Sequence, residues 1–149
     1  MSLHPTGPWD RSVAHAFLDA VRIPLRVAAI AKSGWPAVVS LWFLREGDAL
    51  WCATTRSARL AVMLAENPKC GFEVGVEKPP YRGLRGQAEA TLDFERGPAI
   101  LHALIDRYLG DSQSSLARWL LSRAADEVAI RLDVLRCQSW NYTERMTKE

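Results

Sequence analysis

Residues 49–68 constrain the fold more than any other stretch of this sequence. The segment ALWCA is a compact apolar run typical of a buried strand, and the polar run TTRS follows it at once. Leu60, Met63 and Leu64 then recur at helical spacing, and Asn67-Pro68 ends the helix. The sequence therefore predicts a strand, a polar turn and a short helix in immediate succession.

The polar turn has the composition of an anion-binding site. The first turn of a helix carries backbone N–H groups without intrahelical partners and the positive end of the helix dipole. Thr54, Thr55 and Ser57 add hydroxyl groups, and we expect Thr55 or Ser57 to cap the helix. Arg56 or Arg59 adds a guanidinium. An ordinary capped helix with exposed arginines fits equally well, because the glycine spacing of a known phosphate-binding loop is absent.

The remaining patterns predict a mainly β protein with inserted helices. Strands are expected over residues 25–31, 35–44, 49–53, 70–76, 81–92, 127–135 and 137–143, and helices over residues 10–22 and within an insert at 94–123. Both faces of the second strand are apolar, as in a barrel wall or under a dimer partner. No βαβ alternation occurs, so we expect an antiparallel sheet closed into a small barrel.

Composition excludes several classes of protein. The chain of 149 residues predicts one domain, and its net charge of +2 without a basic run argues against nucleic acid. The odd number of widely spaced cysteines indicates reduced core residues of a cytoplasmic protein. The histidines lie far apart, so no metal site is expected. The longest uncharged run, residues 33–44, is too short to span a bilayer, and no signal-peptide pattern is present.

No pair of side chains has the pattern of a nucleophile and its base, so the catalytic residues are unknown. An enzyme of this kind would take its reactive group from a cofactor. The candidate cofactor contacts are the polar turn, three aromatic residues and one polar strand face. The three aromatic residues are Trp42, Tyr81 and Trp140, and the polar strand face carries Arg85 and Gln87.

Three segments in order resemble one known family. They are WPAVVSLWFLREGDALWCATTRSARLAVMLAENPKCGFEV, then PPYRGLRGQAEATL, and finally SWNY. This order is similar to that of the pyridoxamine 5'-phosphate oxidase-like family of FMN-binding split barrels. The resemblance covers residues 25–92 well and the end of the chain more loosely.

The resemblance implies a six-stranded antiparallel split β-barrel that forms a homodimer and binds FMN in grooves at the subunit interface. Its implied phosphate and ribityl contacts are Thr54, Thr55, Ser57 and Arg59, with Arg56 as a neighbour. The backbone of Val38, Val39 and Ser40 falls along the isoalloxazine ring. Tyr81 and Arg82 fall near the cofactor from the partner side, and Trp140 covers the ring.

The family comparison leaves the cofactor and substrate open. Hydride transfer between FMN and an unidentified small molecule is the leading expectation. A deazaflavin-dependent reductase, a non-catalytic flavin- or haem-binding module and a cofactor-free module are the alternatives. The terminal segment SWNYTERMTKE lacks the basic substrate-phosphate motif of the true oxidases, so pyridoxamine phosphate is not the expected substrate.

Overall fold

The computed structural model describes residues 3–146. Its helices are α1 (Arg11–Ala20), α2 (Arg59–Glu66), α3 (Gly97–Tyr108), α4 (Ser115–Ser122) and α5 (Thr143–Met146), with a 3₁₀ turn over Ala124–Asp126. Its strands are β1 (Leu25–Ile30), β2 (Pro36–Leu41), β3 (Leu44–Glu46), β4 (Ala49–Thr55), β5 (Lys69–Gly75), β6 (Arg82–Asp93) and β7 (Glu127–Asn141). The predicted helices at 10–22 and within 94–123 are confirmed.

The seven strands form one antiparallel sheet in the order β2-β1-β5-β6-β7-β4-β3. The main core lies on its inner face, where alternate residues of β1, β4, β5, β6 and β7 meet. Helices α1 and α2 add apolar side chains to the same core, including Leu18 and Leu64. The sequence prediction of an antiparallel, mainly β fold is therefore confirmed.

Helix α3 covers the outer face of β4 and β7. Ile100 and Leu104 of α3 pack against Trp51 of β4 and Ala129 of β7 in a second apolar cluster. The open part of the outer face belongs to β1, β2, β5, β6 and the second half of β7. Val38 of β2 is 67% exposed on this face. The helical insert thus covers one half of the sheet and leaves the other half accessible.

The predicted strand over residues 35–44 is interrupted at Trp42 and Phe43. Phe43 is fully buried in the main core, and its backbone N–H donates to the Tyr108 hydroxyl at 3.2 Å. The Trp42 ring stacks on the Tyr108 ring with centroids 5.0 Å apart. These contacts turn the chain out of β2 and into β3, so a single strand was the wrong prediction here.

The two strands predicted over residues 127–135 and 137–143 are one continuous strand, β7. A β-bulge joins them: Ala88 faces Val134 while Gln87 faces Arg136, which leaves Leu135 without a partner on β6. Before the bulge, even-numbered residues such as Val134 point into the core. After it, the odd-numbered residues Cys137 and Ser139 are buried instead. Even-numbered residues of the second half therefore reach the outer face.

The N-terminal segment is fixed along the second half of β7. Ser139, the buried polar side chain of the described region, donates from its hydroxyl to the Thr6 carbonyl at 2.9 Å and accepts from the Trp9 N–H at 3.1 Å. Backbone hydrogen bonds join Thr6 to Cys137 and Ser139. Gly7 has φ +91°, and a Cβ at this position would collide with the Ser139 carbonyl.

Ser139→Ala tests this attachment. The substitution leaves the buried Trp9 N–H without its acceptor, so we expect a loss of about 1–3 kcal/mol in the free energy of unfolding. Urea denaturation followed by tryptophan fluorescence measures it. Ser33→Ala, in the exposed β1–β2 turn, is the matched control and should change stability by less than about 0.5 kcal/mol. Equal stabilities of the two variants would contradict the attachment.

Candidate functional site

A groove of about 900 Å³ crosses the open part of the outer sheet face, which is within the usual size range of small-molecule sites. Cross-strand pairing places its polar and small lining residues in two rows. The first row is Arg26, Glu73, Arg85 and Gln138, and the second is Val38, Ala28, Gly71, Gln87 and Arg136. We call this feature the sheet groove.

Small residues form the floor of the sheet groove. A Cβ added at Gly71 would meet only the Gly86 carbonyl oxygen at 3.6 Å and the Ala28 Cβ at 3.8 Å, which are ordinary contacts. The space above Gly71 is therefore open rather than filled by a neighbouring side chain. Val38 closes the groove on the β2 side.

Charged residues of the first row are linked in pairs. The Arg26 guanidinium lies 2.7 Å from the Glu77 carboxylate, and the Arg85 Nε lies 3.7 Å from that of Glu73. Arg85 Nε is buried without a hydrogen bond to the described residues. The Arg85 guanidinium stacks 4.0 Å from the centre of the Trp140 ring, a cation–π contact.

Trp140 is held by two glycines on neighbouring strands. A Cβ at Gly83 would lie 2.7 Å from the Trp140 ring, and one at Gly75 would lie 3.1 Å from it. Tyr81 shares a smaller cavity with Trp140 and Arg85, at the end of the sheet groove. The structure therefore brings Tyr81 and Trp140 together. Arg82 points elsewhere, with its guanidinium 5.3 Å from the centre of the Phe17 ring.

The polar turn lies between β4 and α2. Thr54 and Thr55 are the last residues of β4 and pair with Val128 and Glu127 of β7. Helix α2 has Ala58 as its N-cap and no side-chain hydrogen bond at that cap. The prediction that Thr55 or Ser57 caps the helix is therefore wrong.

The two arginines of the turn differ in their contacts. Arg56 donates from its backbone to the Asp126 carbonyl at 2.8 Å and from its side chain to the Ala125 carbonyl at 3.2 Å. Its guanidinium also lies 5.4 Å from the centre of the Phe94 ring. Arg59 is exposed and has no side-chain partner within residues 3–146. Arg56 thus joins the turn to the helical insert, and Arg59 is free to bind a ligand.

Glu127 is a half-buried carboxyl group beside the turn. Burial raises its pKa above the ordinary 4.5, the neighbouring Arg123 opposes this rise, and Asp126 adds to it. Its Oε2 atom is buried without a hydrogen bond from the described residues. The ionised form is therefore poorly stabilised in the folded protein.

The polar turn and the Tyr81–Trp140 pair lie at opposite ends of β7. Thr54 pairs with Val128 near the start of β7, and Trp140 lies 12 residues further along the strand, beyond the bulge. Val38 lies in the sheet groove, and Val39 and Ser40 continue the same edge strand.

Sequence analysis identified Arg85 and Gln87 on the polar strand face but missed Arg26, Glu73, Arg136 and Gln138 of the same groove. A signal for the last two is present in the sequence. Apolar residues occupy even positions up to Val134 and resume at the odd position Cys137. That change of parity marks the bulge.

Comparisons with known proteins identify the fold of this chain. No protein-family model matches the chain, and no curated protein sequence matches it either. A conserved hypothetical protein from Mycobacterium tuberculosis superposes with a TM-score of 0.81 at 16% identity, over 100% of this chain and 96% of that one. An F420 reductase superposes with a TM-score of 0.70 at 22% identity, over 82% of this chain and 94% of that one.

A pyridoxamine 5'-phosphate oxidase-like protein from Listeria innocua superposes with a TM-score of 0.63 at 15% identity, over 83% of this chain and 92% of that one. The chain has the split β-barrel fold of the pyridoxamine 5'-phosphate oxidase-like proteins. The resemblance in the sequence therefore predicted the split barrel correctly, but the described residues form seven strands where six were predicted. Because the identities are below 25%, the similarity establishes the fold and leaves the activity to the chemistry of the site.

The described part of the chain has no helix long and apolar enough to cross a membrane. Residues 3–146 also contain no group of three or more His, Cys, Asp or Glu side chains arranged to hold a metal ion.

Glu127→Gln tests the environment beside the turn. Because the pKa of Glu127 is raised in the folded protein, its protonated carboxyl group stabilises the fold relative to the ionised group. This stabilisation is lost as pH rises above about 4.5. We expect the variant to be at least as stable as the wild type at pH 7, with the difference shrinking as pH falls toward 4.5. Urea denaturation at several pH values measures it. A variant that is less stable at pH 7 would show that the carboxylate is stabilised by contacts.

Proposed function

We propose that this protein is a flavin-dependent oxidoreductase that binds FMN between two copies of the chain. The observation that carries the proposal is a split barrel whose open sheet groove ends at a Trp140–Arg85 stack, together with an uncapped α2 N-terminus bearing Arg59. The groove is large enough for a planar cofactor, and the helix end offers N–H groups to a phosphate.

The residues present fit a phosphate at the polar turn. The α2 N-terminus has no side-chain cap, so its first N–H groups are available to an external acceptor. Arg59 adds a guanidinium without a competing ion pair in residues 3–146. Thr54, Thr55 and Ser57 supply hydroxyl donors, and Arg56 holds the turn against the 3₁₀ segment.

An FMN molecule that is bound between two copies of the chain would contact both predicted groups of residues. The polar turn lies beside the start of β7, and the Tyr81–Trp140 pair lies at the far end of that strand, beyond the bulge. We therefore assign the phosphate to Arg59 of one copy and the ring cover to Tyr81 and Trp140 of the other. The backbone of Val38, Val39 and Ser40 would line the ring edge, and Arg82 is left out of the assignment because its guanidinium lies over Phe17.

Bound flavin would supply hydride transfer to or from a small molecule. The chain's own contribution is binding and orientation. Arg59 and the α2 N–H groups hold the phosphate, and the Trp140 ring, which packs over Gly75 and Gly83, gives an apolar surface. No acid or base is assigned, because the groove presents no pair of groups with that geometry.

A deazaflavin-dependent reductase is the second candidate. It is favoured by the structural similarity to an F420 reductase, at 22% identity. Both candidates use the same turn for a phosphate, so they differ in the ring that is bound next to Tyr81 and Trp140. A non-catalytic flavin carrier would bind the cofactor without turnover. Haem is less favoured, because no histidine is among the described residues that line the sheet groove.

The first test is cofactor binding by the purified protein. We expect the purified protein to show a visible flavin spectrum. If it is purified without flavin, added FMN at 100 times its dissociation constant should stabilise the fold by about 2.7 kcal/mol. For a protein of this size the melting temperature would rise by about 5–10 °C. Coenzyme F420 is tested in parallel. A larger shift with F420 than with FMN would select the deazaflavin, and no shift with either would contradict the proposal.

Arg59→Ala tests the phosphate contact. Loss of a charge-assisted hydrogen bond should weaken FMN binding by about 1.5–3 kcal/mol, or roughly 10- to 150-fold. Calorimetric titration with FMN measures it. Arg118→Ala removes the same charge from an exposed position on α4 and serves as the control. An unchanged dissociation constant in Arg59→Ala would place the phosphate elsewhere.

Mixed dimers test whether the site is shared. Tyr81→Ala and Arg59→Ala each damage every site in their own homodimers. If two copies share each site, a hybrid of the two variants contains one intact site and one doubly altered site. We expect co-expression with two affinity tags to yield hybrids that bind FMN at half the wild-type stoichiometry. Hybrids with no high-affinity site would show that each chain binds FMN alone.

A further inference from the structure

The sheet groove contains a cluster of polar side chains that the cofactor contacts do not use. Arg136 and Gln87 are cross-strand partners, and Gln138 follows Arg136 by two residues on the same face. Cross-strand Cβ atoms lie about 5 Å apart, and alternate residues of a strand about 6.6 Å apart. The three side chains therefore present their N–H donors to one small volume.

Arg136 is the unpaired charge of this cluster. Within residues 3–146 it has no ion pair, hydrogen bond or ring contact, and the side-chain amides of Gln87 and Gln138 have none either. Arg26 and Arg85, in the neighbouring row, are each close to a carboxylate. A guanidinium flanked by amide donors matches a carboxylate or phosphate, to which it donates two parallel hydrogen bonds.

The floor next to this cluster suits a flat molecule. Ala28 and Gly71 lie side by side on β1 and β5, and Gly71 has no side chain above the sheet. From β1 to β6 the floor measures about 10 Å, because neighbouring strands are about 4.8 Å apart. That distance accommodates a bicyclic aromatic ring.

We propose that the sheet groove binds a flat aromatic anion, with its carboxylate or phosphate on Arg136, Gln87 and Gln138 and its ring above Ala28 and Gly71. This inference rests on the proposed function and deepens it, because it gives the chemical class of the substrate. The phosphate of the cofactor is assigned to Arg59 at the other end of β7. Two arginines on separate parts of the chain therefore hold two different anions.

Three probes separate charge from shape in a calorimetric titration of the wild-type protein. They are 2-naphthoate, its neutral analogue 2-naphthamide, and cyclohexanecarboxylate, an anion without a flat ring. We expect 2-naphthoate to bind about tenfold more tightly than either of the others. Equal affinities for 2-naphthoate and 2-naphthamide would overturn the role of charge, and no measurable binding of any probe would overturn the site.

Arg136→Gln identifies the residue that selects the charge. We expect 2-naphthoate to lose about tenfold in affinity in this variant, while 2-naphthamide binding stays the same. Arg118→Gln removes the same charge from α4, outside the groove, and should leave both affinities unchanged. Retained preference for 2-naphthoate in Arg136→Gln would overturn the assignment.

Gly71→Val tests the floor of the groove independently of charge. A Cβ at this position makes only ordinary contacts, so Gly71→Ala is expected to keep the wild-type melting temperature and is the control for the fold of Gly71→Val. The added side chain would stand where the ring lies, and both naphthalene probes should lose about tenfold or more in affinity. Unchanged binding of both probes would place them outside the groove.

The titrations are run with and without FMN, so that this inference and the proposed function are tested separately. If FMN does not bind but 2-naphthoate binding depends on Arg136, the proposed function is wrong and the anion site stands. If Arg136→Gln abolishes FMN binding while Arg59→Ala does not, the groove holds the phosphate of the cofactor. That result would overturn the inference of a separate substrate site.

Discussion

The bulge at Leu135 determines which side chains of β7 reach the outer face of the sheet. Up to Val134 the core-facing residues are even-numbered, and beyond it they are odd-numbered. Arg136, Gln138 and Trp140 consequently face outward, whereas an unbroken ladder would turn them toward the core. A buried Arg136 without a partner would be too costly to keep the fold. The polar residues that β7 contributes to the sheet groove therefore depend on a single extra residue in that strand.

The sequence was sufficient for the overall class of the fold because its strands alternate clearly and its turns contain Gly and Pro. It was not sufficient where tertiary contacts override local pattern. Residues 35–44 have the composition of one strand, but burial of Phe43 and the hydroxyl of Tyr108, distant in the chain, divide it. The N-cap of α2 was mispredicted for a similar reason. Ser57 is a residue type that often caps helices, but the N-cap is Ala58. Hydrogen bonds from the backbone N–H groups of Arg56 and Ala58 organise the turn instead.

The candidate site shows the same division between local and long-range information. The polar turn is contiguous in sequence, so its chemistry was visible without a structure. The sheet groove combines residues from five strands, and only their register reveals that Arg26, Glu73 and Arg85 form one row. Trp140 could equally have been a core residue by composition. Its outward position follows from the bulge, and Gly75 and Gly83 on the neighbouring strands leave the space in which its ring lies.

The position of β7 also affects how the chain reaches its fold during synthesis. It is the last strand in chain order but lies between β6 and β4, which were made earlier. Until β7 emerges from the ribosome, both of those strands expose an unpaired edge, and neither half of the sheet is joined to the other. The barrel core therefore closes late, through contacts between residues far apart in sequence. Chaperone binding to the nascent chain would be most useful during this interval.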